Sequence, residues 1–208
     1  NPEYFNAEQG GRNAGSDAEH AAADYLVGVM KDIGLADVEK QAAQCDRWQF
    51  NSASLTIDGK DYNVYTYATA STPAEGLTAE VVYVNKGTRQ DYEDLDVTGK
   101  IVLLDIDQRN DWWITYPMLE AMHQGAVGVL AANVGGFAQI ADDALNSQDI
   151  CGPVGNPTLS IGVADSKEIQ EKLKAGSVSA TMKVDNEVEI DAGTTYNITG
   201  VLKGKSSD

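Results

Sequence analysis

Residues 96–133 decide the fold class, and they read DVTGKIVLLDIDQRNDWWITYPMLEAMHQGAVGVLAAN. Two apolar runs, IVLLDI at 101–106 and AVGVLAAN at 126–133, are joined by a polar loop and an amphipathic segment. A run that is apolar at nearly every position is typical of a strand covered on both faces. The pattern therefore predicts the core of an α/β enzyme, yet no obvious nucleophile, base or metal ligand stands at its edges.

The composition of the chain is strongly acidic. Acidic residues outnumber basic ones 32 to 15 among 208 residues, which gives a net charge of −17. This balance argues against binding to nucleic acid or to anionic lipid, because no basic stripe is available to neutralise phosphates. It favours solubility, with a field that attracts cationic peptides or metal ions as the alternative. No run of 18 apolar residues exists, so no membrane span is predicted.

The first regular element is a helix with clear start and stop signals. Ser16 is a good N-cap, and Glu19 three residues later completes the pattern of a capping box. Gly34 is placed to end the helix. Apolar residues at helical spacing predict one buried face, made of Ala21, Ala22, Tyr25, Leu26, Val29, Met30 and Ile33.

Most of the remaining chain predicts strands. Residues 36–58 alternate weakly and end in Asp58-Gly59, which is a hairpin turn signal. AEVVYVN and PTLSIGV are compact strand sequences, and residues 177–205 alternate in the manner of long antiparallel strands.

Two further helices are predicted in the second half. TYPMLEAMHQG predicts a short helix with Met118, Leu119 and Met122 turned inward. SKEIQEKLKAG predicts another helix with Ser166 as its N-cap. The middle of the chain is therefore β-rich with two helices.

The histidines and cysteines give little support for a metal site. His20 has no second histidine four residues away, and His123 lies in a predicted helix, so packing roles are favoured for both. Cys45 and Cys151 match no C-x-x-C pattern, and either a disulfide or two separate buried thiols remains open. Neither G-x-S-x-G nor G-x-G-x-x-G occurs.

Aspartates suggest one alternative cation site. A calcium loop needs several oxygen ligands with a turn glycine and a terminal glutamate in fixed register, and DIDQRND lacks both of these. Calcium is therefore disfavoured at the aspartates in question, which are Asp105, Asp107, Asp111, Asp142, Asp143 and Asp149.

The loop after IVLLDI is the best candidate for ligand contacts. Arg109, Asn110, Trp112 and Trp113 follow a strand at its carboxyl end, where α/β sheets place their ligands. The two tryptophans either anchor the core or form an aromatic wall over a cleft. We take these four residues as candidate substrate-binding residues.

Several segments together resemble a known family. GRNAGSDAEHAAADYLVGVMKDIGLADVEK is similar to the opening segment of the two-zinc aminopeptidases and their carboxypeptidase relatives. VTGKIVLLDID, MHQGAVGVLAAN and NPTLSIGVADSKEIQEKLKAG resemble, in this order, a protease-associated (PA) domain. TTYNITGVLKGKSSD resembles the strand that returns to the peptidase fold after that insert.

This resemblance implies a domain organisation. Residues 1–49 and 189–208 would belong to a peptidase catalytic domain, and 50–188 would be a PA domain of mixed, β-rich α/β or barrel-like architecture. In the family, a His-x-Asp ending the next strand supplies zinc ligands, with the remaining ligands and a glutamate base further on. The resemblance therefore places the metal site beyond Asp208, with no catalytic or metal-binding residue in this chain.

The resemblance also implies a function for the whole protein. The parent would be a zinc-dependent aminopeptidase with two ions, and this chain would lack activity alone while shaping substrate access. Implied partners are a peptide substrate and the rest of the catalytic domain, and export to the cell envelope or the exterior is expected. The sequence leaves a homodimer open.

Two other functions remain as alternatives. One is a free-standing module that holds peptide or glycan with its aromatic loop. The other is the PA insert of a subtilisin-like protease, which is disfavoured because the leading helix matches the zinc family.

Overall fold

The computed structural model describes residues 12–66, 69–107, 109–110, 115–135, 141–145 and 156–205. The chain divides into two compact units. Unit 1 comprises Asn1–Trp48 and Val188–Asp208, and unit 2 comprises Gln49–Glu187. Across the described residues, no helix combines the length and the apolar character that crossing a membrane requires.

The described residues form three α-helices, eight strands and a 3-10 helix at Arg89–Tyr92. The helices are α1 (Asp17–Asp32), α2 (Tyr116–His123) and α3 (Val163–Ala175). The strands are β1 (Ala36–Ile57), β2 (Lys60–Tyr62), β3 (Val64–Tyr65), β4 (Leu77–Tyr83), β5 (Ile101–Asp107), β6 (Gly128–Gly135), β7 (Thr158–Ile161) and β8 (Ser179–Val201).

The sheet of unit 2 is mixed and curls round on itself. Its strand order is β2-β1-β8-β4-β5-β6-β7-β3. Strands β4 to β7 are parallel neighbours, whereas the β1–β2, β4–β8 and β3–β7 pairs are antiparallel. Only Asn63 separates β2 from β3, so the two ends of the order lie side by side. The predicted β-rich α/β fold is confirmed, with a barrel-like closure.

Strands β5 and β6 are covered on both faces, as the sequence predicts. Residues 101–104 of β5 and 128–133 of β6 are buried. Alternate residues belong to different apolar clusters: Ile101 and Leu103 pack in one, and Val102 and Leu104 in the other. The first cluster includes Ile169 of α3, whereas the second is completed by α2. Because successive side chains of a strand point to opposite faces, each face of β5 packs in a cluster with a different helix.

Two local signals in the sequence are confirmed. Ile57 pairs with Lys60, so Asp58 and Gly59 form a two-residue hairpin turn, with φ angles of 52° and 76°. Positive φ at both positions is what this turn requires, and aspartate and glycine tolerate it. The hydroxyl of Ser16 accepts a hydrogen bond from the Glu19 N–H at 3.2 Å, so Ser16 is the N-cap of α1.

The predicted buried face of α1 is confirmed only in part, since Tyr25, Val29 and Met30 are half-buried. Only Ala22 and Ala23 are buried, whereas Leu26 and Ile33 keep 44% and 70% of their surface exposed. Ala21 is exposed as well. Helical spacing shows which residues share a face, but it does not show whether anything in the chain covers that face.

The second and third helices also differ from prediction. Met118 of α2 is buried as expected, but Leu119 and Met122 are each 40% exposed, and Ala121 is buried in their place. Helix α3 begins before Ser166, with Gly162 as its N-cap. Strand β7 ends directly before this helix. The first helical residue is therefore the apolar Val163, and the helix begins upstream of Ser166, which the sequence predicted as its N-cap.

A carboxylate organises the start of α1 within unit 1. Glu19 Oε2 accepts from the Gly15 N–H at 3.0 Å, and Oε1 accepts from the Thr195 hydroxyl at 2.8 Å and the Tyr196 N–H at 3.2 Å. The capping box is thus half formed, because Glu19 bonds Gly15 rather than the N-cap backbone. Gly15 has φ +77°, and a Cβ there would lie 3.1 Å from Cys45 Sγ, so glycine is required.

The environment of Glu19 stabilises its charged form in the folded state, so ionisation of this side chain contributes to the free energy of folding. Burial raises its pKa, but the hydrogen bonds from Thr195, Gly15 and Tyr196, with the nearby His20, together outweigh burial and hold the pKa below its ordinary value. A lowered folded-state pKa means that the stabilisation is complete above the unfolded pKa. It is lost as pH falls through the folded value.

We therefore expect Glu19→Gln to loosen unit 1 at neutral pH. An amide offers one acceptor where the carboxylate offers two, and the loss costs roughly 1–2 kcal/mol. Amide hydrogen exchange at Gly15 and Tyr196 measures it directly, since both N–H groups donate to Glu19. The exposed Glu39→Gln is the control. Equal protection in both variants at pH 7, or a difference that persists below the folded pKa, would contradict this account.

Candidate ligand-binding cleft

Unit 2 contains a cleft of about 740 Å³ at the carboxyl end of β5. Val82 of β4 pairs in parallel with Val102 of β5, so the segments that follow the two strands meet at one edge of the sheet. The first turn of α2 forms the opposite wall. The cleft is lined by Lys86, Gly87, Thr88, Arg89, Asp105, Ile106, Asn110, Tyr116, Pro117 and Glu120.

The loop after β4 is fixed by a glycine and an aspartate. Gly87 is buried with φ +67°, and a Cβ there would lie 3.0 Å from Leu104 Cδ2 and 3.2 Å from Pro117 Cβ. Asp91 accepts hydrogen bonds from the Thr88 N–H at 2.9 Å and its hydroxyl at 2.7 Å. The loop is therefore held close to α2, and its Lys86 and Arg89 line the cleft.

Asp105 tethers β5 to its neighbours. Its carboxylate accepts from the Tyr83 hydroxyl at 2.7 Å, from the Ser166 hydroxyl at 3.1 Å and from Gln170 Nε2 at 3.4 Å. Burial, and then the bond to Asp105, raise the pKa of Tyr83 above its ordinary value, so the phenol stays a donor at neutral pH. The carboxylate of Asp105 therefore has a structural role as a hydrogen-bond acceptor, and a calcium site is not needed to account for this residue.

Asp107 builds the turn that carries two predicted site residues. Its side chain accepts from the Arg109 N–H at 3.0 Å and from Asn110 Nδ2 at 2.7 Å. The bond from Asn110 is the largest of the effects that hold the pKa of Asp107 below its ordinary value. Arg109 and Asn110 are both exposed, and Asn110 lines the cleft. Trp112 and Trp113 lie outside the described residues, so the four-residue substrate site stays a prediction.

The described residues do not fit a zinc pair. Among them, no group of three His, Cys, Asp or Glu side chains is placed to hold a metal ion. His20 donates through Nε2 to the Thr194 carbonyl at 2.6 Å and packs edge-on against Tyr196. His123 is exposed at the end of α2.

The remaining candidates for ligation are dispersed or undescribed. Cys45 is a free, half-buried thiol in unit 1, and Cys151 lies outside the described residues. Asp142 and Asp143 are exposed, whereas Asp111 and Asp149 are outside the described residues.

Sequence reasoning missed one wall of the cleft. Lys86 and Arg89 lie three and six residues after the end of β4, and the sequence shows no ligand motif around them. The missing information was that β4 and β5 are parallel neighbours. Two apolar runs separated by a long polar loop do not reveal strand direction by themselves.

A comparison with protein families identifies the unit that contains this cleft. The PA domain family matches residues 77–169, which run from β4 into α3 and include the whole cleft. This chain contains a PA domain. The apolar runs at 101–106 and 126–133, which form neighbouring parallel strands, both lie within this match.

The chain is also similar to aminopeptidases well beyond the PA domain. Probable leucine aminopeptidase 2 of Aspergillus fumigatus is 29% identical over 192 residues, which are 91% of this chain and 36% of that protein. The solved zinc aminopeptidase from Bacillus subtilis shares the fold with a TM-score of 0.67 at 24% identity, over 99% of this chain and 46% of its own.

A second solved structure agrees with this result. The aminopeptidase from Aneurinibacillus sp. strain AM-1 matches 96% of this chain and 46% of its own, with a TM-score of 0.65 and 26% identity. The chain thus spans about a third of the Aspergillus protein and less than half of each solved chain. The predicted relationship to PA-containing aminopeptidases is confirmed.

The network around Asp105 gives a test of how the PA domain is held together. We expect Asp105→Ala to lower the free energy of unfolding by about 2–4 kcal/mol, because the donors on Tyr83, Ser166 and Gln170 lose their acceptor. Tyr83→Phe removes one donor and should cost about 1 kcal/mol. Urea denaturation measures both changes.

A double-mutant cycle separates this network from general damage. The Tyr83→Phe and Asp105→Ala effects should be non-additive by at least about 0.5 kcal/mol if the two side chains are coupled. Asp94→Ala, an exposed aspartate in the loop before β5, serves as the control and should change stability little. Additive effects of Tyr83 and Asp105 would refute the coupling.

Proposed function

We propose that this chain is the PA-domain portion of a zinc-dependent aminopeptidase, and that it shapes substrate access without carrying the catalytic groups. The observation that carries the proposal is the pair of matches: a PA domain at 77–169, and similarity to an aminopeptidase over 91% of the chain. The parent would remove residues from a peptide terminus using two zinc ions held by other sequence. Residues 1–49 and 189–208 would belong to its catalytic domain.

Unit 1 supports a partner for these flanking segments. Exposed large apolar side chains occur on or directly after α1 and on or directly after the C-terminal half of β8, where a helix or strand would normally be covered. They are Leu26, Ile33, Ile190, Val201 and Leu202, and Leu202 is 81% exposed. The rest of the peptidase catalytic domain is the partner that the aminopeptidase similarity implies.

The turn after β5 supports a role in substrate access. Asp107 fixes the backbone at Arg109 and Asn110, so their side chains project from a rigid base rather than from a mobile loop. In the parent enzyme, Arg109 would offer charge and hydrogen bonds to a peptide, and Asn110 an amide. Trp112 and Trp113 would supply the aromatic wall. Export from the cell, as the family resemblance implies, is part of the same proposal.

The chain alone should be inactive. We expect the purified 208-residue chain to hydrolyse leucine p-nitroanilide no faster than buffer, and to retain no stoichiometric zinc after dialysis. Absorbance at the nitroaniline band and elemental analysis for zinc measure these two properties. Zinc-dependent turnover that co-purifies with the chain and is abolished by a chelator would overturn the proposal.

The access role is tested in the longer enzyme. Arg109→Ala and Asn110→Ala should raise KM for peptides by roughly threefold to tenfold with little change in kcat, because they remove binding contacts and leave the chemistry intact. Lys183→Ala, at an exposed position of the same unit, is the matched control. A fall in kcat at constant KM would instead assign these residues to the chemical step.

A further inference from the structure

We propose that a bulge in β6 sets the conformation of the turn after β5, with Gly135 as the positioning residue. Arg109 and Asn110 of that turn are substrate contacts in the proposed function, and the inference rests on the proposed function to that extent. Its conformational part does not depend on the rest of a peptidase, because β5, β6 and the turn all lie in unit 2.

The bulge changes which residue of β6 stands beside Asp107. The two strands pair one to one from the start of β5 as far as Ile106, which pairs with Asn133. A regular ladder would then pair Asp107 with Val134, but Asp107 pairs with Gly135 instead. Val134 is therefore the extra residue of the bulge, and its side chain is 46% exposed. Bulges next to active sites commonly re-aim a side chain in this way.

Glycine at this position leaves room for the carboxylate of Asp107. A Cβ on residue 135 would lie 2.6 Å from Asp107 Cγ and 3.1 Å from Oδ2, which is closer than van der Waals contact allows. The side chain of Val134 would meet the same obstacle if the ladder continued without a bulge. Asn133 holds the bulged backbone, since its Oδ1 accepts a hydrogen bond from the Gly135 N–H at 3.3 Å.

The carboxylate of Asp107 cannot move aside without releasing the turn. Its Oδ1 accepts from the Arg109 N–H at 3.0 Å and the Asn110 N–H at 3.3 Å, and its Oδ2 accepts from Asn110 Nδ2 at 2.7 Å. A methyl group on residue 135 would push the carboxylate away from these donors. The bond from the Asn110 N–H to the Asp107 carbonyl, at 3.2 Å, does not involve the carboxylate and would remain. The conformation of the turn therefore depends on β6 as well as on β5.

Gly135→Ala in the 208-residue chain tests this dependence. We expect amide hydrogen exchange at Arg109 and Asn110 to become faster by roughly threefold or more, because these amides lose a charged acceptor. Titration of Asp107, followed by the ¹³C shift of its carboxyl carbon, gives a second readout. The bond from the Asn110 side chain is the largest influence that holds the pKa of Asp107 below its ordinary value, so this pKa should rise in the variant. Lys86, whose charge also lowers the pKa, is unchanged by the substitution.

Two further variants separate positioning from general damage to the strand. Gly128→Ala adds the same methyl group at the start of β6, where it would crowd Met182 in the core instead of Asp107. It should lower the melting temperature but leave hydrogen exchange in the turn unchanged. In an Asp107→Ala background, Gly135→Ala should have no further effect on the turn, because the carboxylate that it displaces is absent. Should Gly135→Ala alone unfold the chain, recovery of the fold in that background supports the proposal, and no recovery overturns it.

The consequence for substrate access is measured in the longer enzyme. Gly135→Ala should raise KM for peptides by roughly threefold to tenfold with little change in kcat, as expected for Arg109→Ala. A raised KM in Arg109→Ala but not in Gly135→Ala, although the turn is released, would overturn the positioning role. If the turn is released and neither substitution changes KM, the conformational inference stands and the proposed function fails.

Other results would overturn the conformational inference itself. One is unchanged hydrogen exchange in the turn, together with an unchanged pKa of Asp107, in the folded Gly135→Ala chain. Another is a loss of protection that is equally large in Gly128→Ala, since this would trace the effect to the strand as a whole. A third is a loss of protection that Gly135→Ala still causes when Asp107 has been replaced by alanine.

Discussion

Strands β5 and β6 impose the constraint on which unit 2 depends, because both of their faces are apolar and both must be covered. Alternate side chains enter two different clusters, one packed with α3 and the other with α2. A strand of this kind is unstable at an edge or with one wet face, since it would leave large apolar side chains in water. The central place of β5 and β6 in the sheet order follows directly.

The position where this apolar run ends creates the cleft. Asp105 shares the face of Ile101 and Leu103, and it meets hydroxyl and amide donors instead of apolar partners. The next residue, Ile106, continues the opposite face into the cluster of α2. Both residues line the cleft from opposite faces of the strand end, and the loop held by Gly87 closes it on the other side.

Features set by neighbouring residues could be predicted from the sequence. The Asp58-Gly59 turn depends on the local backbone, the Ser16 cap on the next helical turn, and the burial of β5 on its own alternation. The inward face of α1, the position of Leu119 and the true start of α3 could not be predicted, because each depends on what the rest of the fold places nearby. The cationic wall of the cleft was missed for the same reason.

Strands β1 and β8 are neighbours in the sheet, and each belongs to both units. Asn51 Nδ2 lies 3.3 Å from Glu187 Oε1, so the polypeptide leaves the PA unit close to where it came in. A domain whose two ends lie close together can be inserted into a surface loop of another domain without forcing the two halves of that loop apart. This is the geometry in which domain insertion is tolerated. Unit 2 therefore has the closely spaced entry and exit points of an inserted domain.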